Sequence, residues 1–128
     1  MTPSPMEPEP LEEGPMGTLA EEAFRRLTIG DTGLIASLGD DDAPRRIGVR
    51  LDPRTEALVR IGALIALDAP PASFRCAVED AQRVGARQED LLATLMAVAG
   101  TVGTARVVSA APRIALAAGY DVEAALEE

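Results

Sequence analysis

Apolar residues in this chain recur three and four positions apart, the spacing that puts them on one face of an α-helix. No stretch alternates strictly between apolar and polar residues, as a half-buried strand would. Ala20, Ala23, Phe24 and Leu27 make the first helical stripe. Thr18 and Glu21 have capping-box spacing at its start, and Gly30 ends it. Asp31 is placed to cap a short second helix that carries Leu34, Ile35 and Leu38 and stops at Gly39. The segment GDDDAPRRIGVR, residues 39–50, reads as a charged, solvated loop. Its three aspartates lack the spacing of a calcium loop, and Arg45 and Arg46 follow at once.

Asp52-Pro53 joins an N-cap acid to a proline at the first helical position, a strong helix start. From Ala57 to Leu67 only Arg60 is charged. A helix apolar nearly all round is expected to be buried on most sides, against a second subunit as well as the core. Arg60 then needs an acid, either across that interface or at Glu56, one turn earlier. In the next helix Phe74, Ala77, Val78, Ala81 and Gly85 share one face, with Gly85 as the residue just past the end. Cys76 falls off that face, among Arg75, Glu79, Asp80 and Arg83, so it is expected to face solvent or a partner. In RQEDLLATLMAVAG the acids occupy the first turn, where the helix dipole favours them. Leu91, Leu92, Leu95, Met96 and Ala99 form its apolar side. The helix is expected to continue through GTVGTARVVSAAPRIALAAG, with Pro112 as a kink or fresh start, and Asp121 to cap a last short turn. The chain therefore reads as all-α, a compact bundle of about six helices.

Composition narrows the chemistry. Aromatic residues are only 2% of the 128, so Ala, Leu, Val and Ile must build the core, which suits closely packed helices. The net charge is −9, and all twelve basic residues are arginine. An acidic chain without a basic cluster repels phosphate backbones, so no nucleic-acid partner is expected. With no histidine there is no Ser-His-Asp triad, no Cys-His pair and no histidine metal ligand. With no lysine there is no Schiff base and no Walker-type phosphate loop. A single cysteine forms neither an internal disulfide nor a Cys-x-x-Cys pair. No metal and no cofactor are implied. Residues 1–17 hold half of the ten prolines and four glutamates, and read as a disordered tail ahead of one domain, 18–128. No basic start with an apolar middle marks a signal peptide, and the uncharged run Leu91–Ala105 is too short to span a bilayer, so no membrane contact and a cytoplasmic location are expected.

The order of signals from Leu51 onward resembles the carboxymuconolactone decarboxylase family, which includes the alkylhydroperoxidase D proteins. The stretches that carry it are LDPRTEALVRIGALIAL and FRCAVEDAQRVGARQEDLLATLMAVAGTVGTARVV, and AEEAFRRLTIGDTGLIASL looks like the family's N-terminal helices. The resemblance implies an all-helical fold and assembly into homotrimers or hexamers. Peroxidase members carry a Cys-x-x-Cys-x-x-x-His set on the helix before the glycine, plus an upstream glutamate. Anchored on Gly85 and on Leu58-Val59, these fall at Pro70, Ser73, Ala77 and Ala57, with Glu56 one place early. The histidine of the lactone decarboxylases also falls at Ala77. Every expected catalytic group is missing, and Cys76 matches none of their positions.

The expectation is a homo-oligomer of this family type that lacks the peroxidase set and is structural, or binds a small apolar or anionic ligand in the vacated pocket. Arg60 and Ser73 are the candidate ligand contacts, with Glu56 and Arg60 as a possible acid and anion clamp. The rival is an enzyme, decarboxylase-like or a one-cysteine peroxidase, with Cys76 and Glu56 as the candidate catalytic residues. Arg75 and Arg83 favour a thiolate at Cys76, whereas Glu79 and Asp80 oppose it. A third reading has the acidic tail recruiting a partner. A pocket lined by Glu56, Arg60 and Ser73 favours ligand binding or catalysis; one filled by Leu and Val favours the structural role.

Overall fold

The computed structural model describes residues 15–40 and 42–127, and among them it is all-helical, with eight helices and no strand. The segment 1–14, most of the expected tail, lies outside the described residues. The described chain packs as two units, one up to Arg50 and one from Leu51 on.

The first unit holds α1 (Pro15–Thr28), α2 (Thr32–Ser37) and α3 (Ala43–Ile47). Helix α1 starts three residues ahead of the Thr18-x-x-Glu21 box, because a proline is compatible with the first helical turn; Thr18 lies inside the helix. Asp31 caps α2 as expected, its carboxylate accepting the Leu34 N–H at 2.9 Å. The stretch expected to be a loop contains α3. Its N-terminal residues, Ala43 and Pro44, suit a first turn, and Asp40 ties the entry by accepting the Asp42 N–H at 3.0 Å and Arg46 Nη1 at 2.8 Å. Leu34 and Ala43 are the buried apolar side chains of this unit, while Phe24, read as part of the inward stripe of α1, is 71% exposed.

The second unit is a bundle of four long helices, α4 (Pro53–Leu67), α5 (Pro71–Arg83), α6 (Gln88–Val102) and α7 (Thr104–Ala117), closed by the short α8 (Val122–Leu126). Helix α4 packs on α5, α6 and α7, and α7 packs on α5 and α6. Ala57, Ile61 and Ile65 of α4, Phe74, Val78 and Ala81 of α5, Leu91 and Leu95 of α6, and Ala110 and Ile114 of α7 form one buried core. The expected N-caps are present: Asp52 accepts the Thr55 N–H at 3.1 Å, and Asp121 accepts the Ala124 N–H at 2.9 Å. Asp90 accepts the Arg87 N–H at 2.9 Å and lies 3.3 Å from Arg54, which links the starts of α6 and α4.

Helix α5 ends as the glycine signal predicts. Gly85, at φ +94°, donates to the Gln82 carbonyl, and Ala86 donates to the Ala81 carbonyl, which satisfies two of the helix's last carbonyls. Where a single helix was expected to run past residue 102, Gly103 at φ +90° and ψ +155° breaks it into α6 and α7. A side chain there would strain the backbone, so the glycine makes this corner possible. The helix then continues through Pro112, which is not a fresh start. The proline sits on the exposed side, where water can take the carbonyl that its ring leaves unpaired. This break and α3 account for eight helices where about six were expected. The apolar side of α6 is also narrower than expected: Leu91 and Leu95 are buried, but Leu92 and Met96 are 60% and 69% exposed. No helix among the described residues is long and apolar enough to cross a membrane.

Candidate functional site

The candidate site is an open groove of about 400 Å3 along the contact of α4 and α5. Its walls follow helical spacing. Helix α4 contributes Ala57, Arg60, Ala63 and Leu64, and helix α5 contributes Ser73, Cys76, Ala77 and Asp80. Behind it, Phe74 and Val78 of α5 and Ile61 and Ile65 of α4 point into the core and fix the two helices against each other. The groove walls are therefore the flanks of helices whose opposite faces are locked. Half of the wall residues are alanine or leucine, which leaves room and offers apolar surface.

The charges at the rim are paired. Arg60 donates from Nη2 to Glu56 Oε1 at 2.7 Å, one turn back along α4. Of the two acids expected for Arg60, one across a subunit interface and one at Glu56, the chain itself supplies Glu56, as the i, i+4 spacing allows. Asp80 accepts from Arg83 Nη1 at 2.8 Å. Each ion pair offsets its own charge, so the groove has little net pull on an anion. What it offers is the Ser73 hydroxyl, the Cys76 thiol and the guanidinium edge of Arg60, over an apolar floor. Cys76 is free and exposed, as its place off the core face predicts. Glu56 stands beside the groove rather than in its lining.

Three of the four sequence candidates thus converge: Arg60, Ser73 and Cys76 line one groove, and Glu56 reaches it through Arg60. Sequence reasoning passed over Asp80 and Leu64 as wall residues. The signal was available, since 57, 60 and 64 on α4 and 73, 77 and 80 on α5 repeat the same i, i+3/i+4, i+7 spacing. Among the described residues no group of three or more His, Cys, Asp or Glu side chains is placed to hold a metal ion.

A second feature was not legible in the chain. Asp68, between α4 and α5, adopts the left-handed conformation at φ 52° and ψ 50°, which aspartate tolerates better than most residues. Its carboxylate accepts the Ser109 hydroxyl at 2.8 Å and lies 3.3 Å from Arg106 Nη1 and 3.5 Å from Arg113 Nη1. Arg113 also donates to the Ala69 carbonyl at 2.7 Å. The corner joining the two groove helices is thus fastened to α7 by Ser109 and Arg113, 41–45 residues away in sequence, and by Arg106. No family model, curated protein or solved structure matches the chain.

Proposed function

We propose that the chain is a carboxymuconolactone-decarboxylase-like homo-oligomer whose α4–α5 groove binds a small molecule with an apolar body and one hydrogen-bonding end, without the family's peroxidase chemistry. One observation carries this reading. Ala57, Ser73 and Ala77, the positions where the resemblance puts the catalytic glutamate, second cysteine and histidine, come from two helices and line one groove. In this chain those positions hold two methyl groups and a hydroxyl, so a space remains there while the acid, thiol and imidazole are gone. Alanine and leucine walls suit an apolar ligand body, and Ser73 with Arg60 suits its polar end.

The one-cysteine peroxidase is favoured by the place of Cys76 in the same groove. Its chemistry is incomplete within the chain. A hydroperoxide would turn the thiolate into a sulfenic acid and release an alcohol, and a second thiol must then reduce it. No other cysteine exists here, and no histidine can carry the proton.

The test uses 1-naphthol, a fluorescent apolar ring with one hydroxyl. The wild-type protein is expected to bind it saturably. Ala77→Leu, which fills the groove, should weaken binding at least about tenfold, whereas Leu92→Ala on α6 should leave it unchanged. No saturable binding, or equal binding by Ala77→Leu, would sink the proposal. Hydroperoxide reduction with a dithiol donor, run in parallel, should not exceed that of free cysteine. Faster turnover that disappears in Cys76→Ser would establish the enzyme reading instead.

A further inference from the structure

The outer faces of α6 and α7 carry almost no charge. Between Leu91 and Tyr120 the only charged residues are Arg106 and Arg113, and both are turned toward Asp68 and Ala69. Past Gln88 and Glu89 in its first turn, the outward positions of α6 are Leu92, Ala93, Met96, Ala97, Gly100 and Thr101. Those of α7 include Val108 and Leu116, 66% and 63% exposed. The outer face of α5 is the opposite, with Arg75, Glu79, Asp80 and Arg83 all exposed. A chain with 26% charged residues does not leave two adjacent helix faces bare unless they meet something other than water.

We infer that the α6–α7 face is the surface on which a second copy of this chain docks, an inference that rests on the homo-oligomer reading. Three observations choose a second copy as the occupant. First, two chains of net charge −9 repel, and a contact between them is cheapest where neither presents a charge. Second, the face holds both halves of a self-complementary fit. A groove of about 520 Å3 lies between the start of α6 and the end of α7, floored by Leu91, Leu95 and Ile114 with Glu89 as the one charged residue in its lining, and Met96 and Leu116 stand exposed on the same helices. A two-fold contact places the projecting side chains of each copy against the groove of the other. Third, the size is adequate. Helices of 15 and 14 residues at 1.5 Å per residue are about 22 Å long. Two such helices about 10 Å apart cover roughly 400 Å2 in projection. Surface relief raises this toward the ~800 Å2 of accessible surface per partner in a stable interface. The same net charge argues against an anionic membrane as occupant.

The experiment is sedimentation equilibrium of the full chain at micromolar concentration, comparing wild type with Met96→Glu, Met96→Glu/Leu116→Glu and, on the outer face of α4, Leu67→Glu. A two-fold interface receives each new carboxylate twice. Met96→Glu should therefore weaken association about 100-fold, and the double variant should sediment as a single 13.4 kDa species. Far-UV circular dichroism should match wild type, since both positions are exposed in the single chain. Leu67→Glu should assemble as wild type does. An assembly dissolved by Leu67→Glu but intact in the double variant overturns this inference and leaves the homo-oligomer standing. A wild-type chain that is itself 13.4 kDa overturns both. A wild-type monomer that floats with neutral phosphatidylcholine vesicles assigns the face to lipid instead.

Discussion

The chain has two phenylalanines, and the structure assigns them opposite fates. Phe74 is 0% exposed at the centre of the second unit, packed among α4, α5 and α7 side chains, whereas Phe24 on α1 is largely exposed. Phe74→Ala removes the six ring carbons from a filled core. The void is about 100 Å3, and at ~24 cal/mol per Å3 the cavity alone costs about 2.4 kcal/mol; lost transfer free energy adds about 2 kcal/mol. A loss of about 4 kcal/mol is therefore expected, a large share of the 5–15 kcal/mol that stabilises an ordinary domain. For a unit of about 80 residues this lowers Tm by roughly 15–30 °C. Phe24→Ala removes the same atoms from a surface helix and should change stability by no more than about 0.5 kcal/mol. The assay is urea unfolding followed by far-UV circular dichroism, with equal m-values checked for each variant. Because Phe74 lies beside Ser73 and one turn from Ala77, Phe74→Ala should also weaken naphthol binding. A loss under about 1.5 kcal/mol at Phe74, or an equal loss at Phe24, would refute the packing described for α5.

Gly62 lies inside α4, and a Cβ added there meets Val98 Cγ1 at 3.4 Å, an ordinary contact with a half-buried side chain. Gly62→Ala should therefore stabilise the chain by about 0.5 kcal/mol through helix propensity, read as a higher urea midpoint, and a loss would show that α4 and α6 need the bare backbone. Acid should weaken the helix starts. The Leu34 N–H and then Arg26 hold the Asp31 carboxyl below its ordinary range, and the Thr55 hydroxyl and N–H do the same for Asp52. A carboxyl with a lowered native pKa stabilises the fold above its unfolded value and loses that contribution as pH falls through the native one. Asp31→Ala and Asp52→Ala should thus lower the midpoint at pH 7, with the gap to wild type closing below about pH 4; a gap that widens with acid would reverse the sign.

The helical class and the starts of α2, α4 and α8 were legible because each is written locally. A period of three and four and an aspartate at the N-cap need no information from elsewhere in the chain. The exposed side of Cys76 followed from the same geometry, because 100° per residue separates it from Phe74 and Val78. Helix α3 was hidden by its charge, since the run of aspartates and arginines outweighed the helix-compatible Ala43-Pro44 start. The corner at Gly103 was hidden because glycine also occurs inside helices, as Gly62 does, and only tertiary packing decides which role it takes. The exposure of Leu92 and Met96 had no sequence signal at all. A helical wheel shows which residues are apolar, not how wide a face the neighbouring helices cover. Arg60, Ser73 and Cys76 were legible as candidates from their chemistry, and the helical spacing that places Asp80 and Leu64 beside them was in the sequence too, although only the packing of α4 on α5 shows that the two flanks meet.

The corner at Asp68 gives the groove a property of its own. The two helices that wall it are held by buried residues on their far sides and by Ser109, Arg106 and Arg113 at their junction. None of the polar fasteners lines the groove, and of the groove's eight lining residues only Ala57 is itself a buried core residue, with Leu64 and Ala77 packed against that core. Frame and contents are nearly separate sets of positions, with Ala57 common to both. Exchanges at 73 and 77 can therefore change what the groove accepts, or remove a reaction from it, while its shape persists, whereas an exchange at 57 also touches the core. A site built this way can lose its chemistry without collapsing, and can acquire another by few substitutions on a standing scaffold.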